Sequence, residues 1–360
     1  MRKISFQKIL LIFAICLFII GVFTGEISFD FWKEKSSHKQ VEEKLKNIEN
    51  VTWDLYISPD NSRLAFYESI SNIEQSLRLQ TYDFTKKELK YKFKELLEKW
   101  VNIKLIMENY KYKQFKNVWK EIAQYFTWYD NFEIKSDEQM GTEYVHSKIN
   151  LVDSGFWIQT ANLNNSSFYS NREHFFYSEN TWVRTSLNNI FNKDWNGEKI
   201  ELGDIHPNLV VCNINCRDVI EILLEWAEES ILIQTQYIVD DSILEILRSK
   251  FDLNKSSVSS WQLLYKGAQE WLDVRFVVSN TDSNDELLTY FGPSVARKFD
   301  QYYNHTKMIL IDEKILLLWS MNLSDNSLDN NREIWILIID NNIISEYKKM
   351  FEKDWGKSKY

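Results

Sequence analysis

Two eight-residue stretches, HSKINLVD at 146–153 and HTKMILID at 305–312, share the pattern His-x-Lys-x4-Asp in a chain with five histidines. Residues two apart on an extended strand project to the same side, so each His sits beside its Lys on one face. Two cations side by side suit an anion such as a phosphate lying over them. For a single copy, a solvated strand face closed by a turn Asp is the plainer alternative. Two copies shift the balance, because the residues after them also match. The first continues SGFWIQTANLNNSSFYSNREHFF and the second EKILLLWSMNLSDNSLDNNREIWILI. Both contain Ser/Thr-x-Asn (Thr160 to Asn162, Ser320 to Asn322), then a Ser (Ser167, Ser327), then Asn-Arg-Glu ending at Glu173 and Glu333.

The elements that must position these residues echo each other in order. SLRLQTYDF (76–84) is answered by SILIQTQYI (230–238), and EKWVNIKLIMEN (98–109) by QEWLDVRFVVSN (269–280). The two His-Lys-Asp stretches come next, and IFNKDW (190–195) is answered by MFEKDW (350–355). Short apolar strands alternating with helical patterns predict α/β units around a largely parallel or mixed sheet. The long spacing marks a duplicated domain rather than a solenoid. The halves divide near ELGDIHPNLVV (201–211), and the Ser-rich stretch FDLNKSSVSSWQLLYKG (251–267) reads as a surface excursion.

On these motifs the sequence resembles the phospholipase D superfamily, whose mark is two copies of HxKx4D, each with a GSxN-type turn and a downstream Glu. The resemblance runs from about residue 50 to 357 and is specific for the superfamily, far less so for the substrate. It implies two α-β-α sandwich halves, residues 51–205 and 206–360, related by a pseudo-twofold that brings both motifs to one interface. Both motifs lie in one chain, so a monomer is sufficient. The implied catalytic set is His146, Lys148, Asp153, His305, Lys307 and Asp312, with Thr160, Asn162, Glu173, Ser320, Asn322 and Glu333 supporting a bound phosphate. Lysine charge and Asn amides would stabilise a pentacoordinate phosphorus. One imidazole would attack phosphorus and the other protonate the leaving alcohol, with His146 taken as nucleophile by analogy. Glu173 and Glu333 would orient the imidazoles, whereas Asp153 and Asp312 read as structural partners. No metal or other cofactor is implied.

Composition bounds the setting. The chain has 360 residues, 44% hydrophobic and 26% charged, which fits a folded protein. A net charge of -9 argues mildly against non-specific binding to nucleic acid or to anionic membrane surfaces, and leaves room for a locally basic pocket. Arg2, Lys3 and Lys8 precede an apolar run from Ile9 to Phe23, and Glu26 and Asp30 follow. Residues 1–25 therefore read as a signal-type segment, either cleaved or, as favoured by the lack of a small-x-small cleavage site after it, retained as an anchor whose basic side stays in the cytoplasm, leaving the rest outside. Residues 26–50 read as a polar linker. Cys212 and Cys216 could pair in an oxidising compartment or remain free thiols. His174 is expected to pack on the strand face opposite Glu173, and His38 and His206 to be solvated.

Glycine is rare, 9 residues, and tryptophan abundant, 14 residues. Trp319 precedes Ser320 where the superfamily commonly has Gly, and Trp335 falls where it has a Gly after Asn-Arg-Glu. Trp100 and Trp271 stand where a helix ends on a residue wanting positive φ. One expectation is that these four positions are UGA codons read as glycine in the native host, with Trp195 and Trp355 as genuine tryptophan controls. Aromatic filling of the core is the alternative.

The leading functional expectation is a membrane-anchored phospholipase D or cardiolipin-synthase-like phosphatidyltransferase. Its partners would be a phospholipid, the membrane, and water or an alcohol as acceptor. The alternatives are an extracytoplasmic nuclease, the one reading that needs nucleic acid, and a non-catalytic phospholipid-binding relative.

Overall fold

The computed structural model describes residues 29–109, 113–256, 272–320 and 322–360. The expected N-terminal apolar helix and Trp271 lie outside the described residues, as does most of the expected surface excursion. Among the described residues no helix is long and apolar enough to cross a membrane. The chain divides between Lys46 and Asn47 into two compact units. In the first, helix α1 (Phe29–Leu45) occupies much of the expected linker.

The second unit carries two sheets of matching design. The first is built from β1 (Asp54–Ser58), β2 (Ser76–Thr81), β3 (Asn102–Met107), β4 (Phe132–Lys135), β5 (Ile149–Leu151), β6 (Phe156–Gln159) and β7 (Asn171–Ser178). The second comprises β8 (Leu209–Val211), β9 (Ser230–Thr235), β10 (Asp273–Ser279), β11 (Ala296–Phe299), β13 (Lys307–Ile311), β14 (Ile315–Leu318) and β15 (Ile334–Ile338), while β12 (Tyr303–Asn304), just before β13 in the chain, joins the first sheet by pairing with β7. Strand order is β1-β7-β6-β5-β2-β3-β4 in the first sheet and β8-β15-β14-β13-β9-β10-β11 in the second. The two orders correspond strand for strand. In each, three strands run parallel and the rest antiparallel, so the sheets are mixed.

Helices cover the outer faces where their apolar residues recur every three or four positions. Helix α2 (Lys87–Glu98) buries Leu89, Phe93, Leu96 and Leu97 beside Leu77, Leu79, Ile103 and Leu105 of β2 and β3. It ends with the Val101 N–H donating to the Leu96 carbonyl and the Trp100 N–H to the Leu97 carbonyl, both 3.0 Å. That is a Schellman cap, and Trp100 occupies its left-handed position at φ 65°, 75% exposed.

The halves share one core. Ile149 and Leu151 of β5, Met308 and Leu310 of β13, and Leu232 of β9 belong to a single buried cluster. Two long helices join it, α3 (Thr181–Asn196) through Leu187, Ile190 and Phe191 and α4 (Asn341–Lys357) through Ile343, Tyr347 and Phe351. Backbone pairing also crosses between halves: β12 runs parallel to β7, and Val145 bridges Arg332 in the mirrored place.

Candidate active site

Each His-x-Lys-x4-Asp stretch leads into a hairpin, β5–β6 or β13–β14, whose strands are almost wholly buried on both faces. The Asp lies at the far end. Asp153 accepts the backbone N–H groups of Glu74, Gln75 and Ser76 at 2.6, 3.1 and 2.8 Å. Asp312 does the same for Glu228, Glu229 and Ser230 at 3.1, 2.8 and 2.8 Å. Each carboxylate thus fixes the start of the central strand, β2 or β9. Both stand at the opposite end of the hairpin from the His-Lys pairs.

At the near end the two halves exchange partners. His146 Nδ1 lies 2.9 Å from Glu333 of the second half, and His305 Nδ1 lies 2.9 Å from both oxygens of Glu173 in the first. A carboxylate partner places the proton on Nδ1 and leaves the Nε2 lone pair available. Neither glutamate relies on its imidazole alone. Glu173 accepts from Thr160 Oγ1 (2.6 Å), Ser167 Oγ (3.2 Å) and Asn171 Nδ2 (3.1 Å). Glu333 accepts from Ser320 Oγ and from Asn331 Nδ2 (3.4 Å). The hydroxyls of Thr160 and Ser320, expected beside a phosphate, therefore serve the orienting carboxylates.

Lys148 and Lys307 are buried, and their ammonium groups donate to the carbonyls of His146 (2.6 Å) and His305 (2.7 Å). Lys148 also reaches the Ser320 carbonyl of the other half at 3.4 Å. Asn162 and Asn322 each keep a buried Oδ1 without a hydrogen-bond partner. Tyr82 meets His146 edge-on at 4.7 Å between ring centres, and Tyr303 stacks near His305 at 6.2 Å.

Burial dominates the electrostatics. It pushes the His146 pKa down to about 4 against the opposing pull of Glu333, so this imidazole is neutral at pH 7. His305 is also lowered by burial, with Glu173 acting against the shift. Burial brings Lys148 to about 8, and burial plus the charge of Lys148 brings Lys307 to about 7. Burial alone would raise Glu173 and Glu333. The charge of the partner His and its hydrogen bond hold both below the ordinary carboxylate range instead. A phosphodiester anion between the lysines would favour their charged forms by simple Coulomb attraction.

A deeper set was not singled out as functional from the sequence. Arg332 and Arg172, the middle residues of the two Asn-Arg-Glu triplets, are buried and pair across the halves with Asp194 (3.1 Å) and Asp354 (2.9 Å). Gln80 and Gln234 donate to the same aspartates at 2.8 and 3.0 Å. The signal was present in the LQT/IQT and KDW echoes, where the repeat itself was legible but the cross-half pairing was not.

The remaining expectations divide. His174 is fully buried and held neutral by burial, its pKa pushed to about 3. His206 corrects the expectation of a solvated residue: its side chain is 10% exposed, and its Nδ1 accepts the Asn208 N–H at 3.2 Å. His38 is half-buried on α1 rather than fully solvated. Cys212 and Cys216 are joined in a disulfide. Trp319 and Trp335 are fully buried, 6.0 Å apart between ring centres, and each has an indole N–H without a partner.

Comparison with known proteins agrees with this geometry. The family described as "Cardiolipin synthase, PLD-like domain" matches residues 66–195 and 220–355. Envelope phospholipases of monkeypox and vaccinia viruses are 28% identical over 98 residues, 24% of this chain and 25% of theirs, so the match spans about a quarter of those relatives' own length. The phosphatidylserine synthase of Haemophilus influenzae superposes with a TM-score of 0.67 at 13% identity, covering 90% of this chain and 91% of that one. The polyphosphate kinase of Porphyromonas gingivalis gives 0.59 at 11% identity, covering 84% of this chain and 50% of the other. At such identities the likeness is one of fold. The duplicated sheets, the paired His-Lys motifs and the family match along both halves together identify the chain as a member of the phospholipase D-like family.

Proposed function

We propose that this protein is a phospholipase D-type enzyme that hydrolyses or transfers the phosphatidyl group of a phospholipid through a covalent phosphohistidine. The observation that carries the reading is the pair of crossed His–Glu contacts flanking two buried lysines. In the first step the neutral Nε2 of His146 attacks phosphorus and the P–O bond to the head-group alcohol breaks. His305, in its imidazolium form, gives its Nε2 proton to that departing oxygen. In the second step water or an acceptor alcohol attacks phosphorus, His305 takes the proton, and the P–N bond breaks. Lys148, Lys307, Asn162 and Asn322 hold the non-bridging oxygens, where charge accumulates in both transition states.

Two like groups must hold opposite protonation states, and the depressed His146 suits the nucleophilic role. For His305, the bound anion together with Glu173 opposes the effect of burial and favours the charged form. A phospholipid is favoured over nucleic acid by the apolar run at residues 9–23 and by the match of both halves to the cardiolipin synthase, PLD-like domain family. Export of the catalytic part behind an N-terminal anchor is supported by the basic-then-apolar segment at residues 1–25 and by the Cys212–Cys216 disulfide, which suits an oxidising compartment.

The test incubates purified protein with phosphatidylglycerol vesicles and, separately, with single-stranded DNA, comparing wild type with His146→Ala and His305→Ala. Turnover of lipid that both variants abolish is expected. Cleavage of DNA with no lipid turnover would replace the substrate class, and full activity in either variant would overturn the mechanism.

A further inference from the structure

We infer that Arg172 and Arg332 are positioning residues for the two histidines, each seated by an aspartate of the opposite half, and that the two seats act on different histidines. The inference rests on the phosphohistidine reading for its kinetic consequences, but its geometry stands apart from it.

Arg332 belongs to the second half and has two anchors in the first. Its backbone carbonyl accepts the N–H groups of His146 and Ser147, both at 2.9 Å. Its guanidinium meets Asp194 at 3.1 Å and donates to the Cys212 carbonyl (3.0 Å) and Asn213 Oδ1 (2.9 Å). The next residue is Glu333, which holds the His146 ring. Backbone and ring of His146 are therefore fixed by two consecutive residues of the other half, and the Arg332–Asp194 pair sets where that dipeptide lies. Arg172 repeats the arrangement. Its carbonyl accepts the His305 N–H at 3.1 Å, its guanidinium meets Asp354 at 2.9 Å, and Glu173 is its next neighbour.

The two seats differ in reach. At Asp194 the chain continues, since Gln80 donates to Asp194 and its Oε1 accepts the hydroxyl of Ser147, the residue between His146 and Lys148. At Asp354 the corresponding Gln234 donates to the carboxylate, but its Oε1 is buried without a partner. Asp194 thus grips its histidine motif through a second side-chain route, whereas behind Asp354 the Thr306 hydroxyl reaches Gln234 only at its backbone carbonyl, at 3.2 Å. Displacing a reacting group by about 1 Å costs on the order of 100-fold in rate. Loss of the Asp194 seat should therefore be the more damaging.

The experiment compares full-length wild type, Asp194→Asn and Asp354→Asn by histidine-labelled NMR and by lipid turnover. Removing one partner of a buried ion pair can unfold a protein, whereas removing both charges is often tolerated. The double variants Asp194→Asn/Arg332→Gln and Asp354→Asn/Arg172→Gln therefore accompany the singles. The Nδ1–H resonance of His146 should shift in the Asp194 variants with that of His305 unmoved, and the reverse in the Asp354 variants. Turnover should fall roughly 10- to 100-fold in kcat with KM nearly constant, and thermally stable double variants should not recover it. Unshifted resonances, or wild-type kcat in a double variant, would overturn the inference. If wild type turns over no phosphodiester while the resonances shift as stated, the functional reading fails and the positioning role stands.

Discussion

The surroundings of His146 and His305 differ although the chain builds both from the same motifs. Glu173, which holds His305, takes three hydrogen bonds from its own half, whereas Glu333, which holds His146, takes two. Behind His146, a turn closed by the Cys212–Cys216 disulfide presents the carbonyl that receives Arg332. Behind His305, Ser58 presents the corresponding carbonyl to Arg172 at 3.3 Å, and Asp60 adds a second charge at 3.2 Å. Ser58 and Ser62 stand where the other half has Cys212 and Cys216. Duplication supplies two matching motifs, and on the proposed mechanism their unequal surroundings would let one imidazole act as nucleophile while the other handles protons.

The largest effect should come from the exchanged carboxylates. Glu333→Gln and Glu173→Gln each remove the charge that fixes an imidazole tautomer, and a loss of about 10²- to 10⁴-fold in lipid turnover is expected. Equal, small losses would mean that the crossed contacts do not orient the histidines. A difference in which step fails would sharpen the contrast: loss of phosphoenzyme formation for Glu333→Gln, and a steeper dependence of the rate on leaving-group pKa for Glu173→Gln.

The lysines come next. Their pKa values are depressed to about 7 and about 8, so both lose their protons as pH rises through that range. On the proposed mechanism the charged forms hold the phosphate, so their loss above about 7 should steepen a fall in kcat/KM that begins at lower pH as His305, its pKa lowered by burial, gives up its proton. Lys307→Arg, which stays protonated, should move that alkaline limb upward. An unchanged limb would assign it elsewhere. A smaller effect is expected at the turn before Ser320, where Trp319 occupies the place held by Gln159 in the first half. Trp319→Gln should change turnover by several-fold through the Ser320–Glu333 contact, read as kcat on the same vesicles.

Stability separates the two halves further. Replacing Cys212 and Cys216 by Ser, the pair found in the first half, should cost about 2 kcal/mol by the chain-entropy account, measured by denaturant titration. Trp100→Gly should instead stabilise the protein by about 1 kcal/mol with activity unchanged, because a left-handed φ is costly for any residue with a Cβ. The gene is expected to carry TGA at codon 100, and at 271, 319 and 335, with TGG at 195 and 355. TGG at the first four would leave these residues as true tryptophans.

Much of this was legible in the sequence because the chemistry is local. Spacing within HSKINLVD puts His146 beside Lys148, and the echo of strands and helices gives the duplicated α/β fold. Trp100 announces a glycine-like cap from its place between a helix end and a strand. The contacts that cross between the halves were not legible. No spacing reveals that Arg332 reaches Asp194, or that Thr160 and Ser320 serve the glutamates, because those partners meet only once two sheets pack on a common core. Nor could the surroundings of His206 be seen, since its ring lies between the Asn208 N–H and the carboxylate of Glu49, which is distant in the chain.

The most direct test of the central claim, that the two histidines have different roles in one shared site, is to trap the phosphoenzyme and locate its phosphate by mass spectrometry. A lipid analogue with a good leaving group bypasses the need for His305 as acid. The phosphate should then sit on His146 in wild type, accumulate there in His305→Ala, and be absent in His146→Ala. Phosphate on His305, or on both histidines alike, would contradict the assignment.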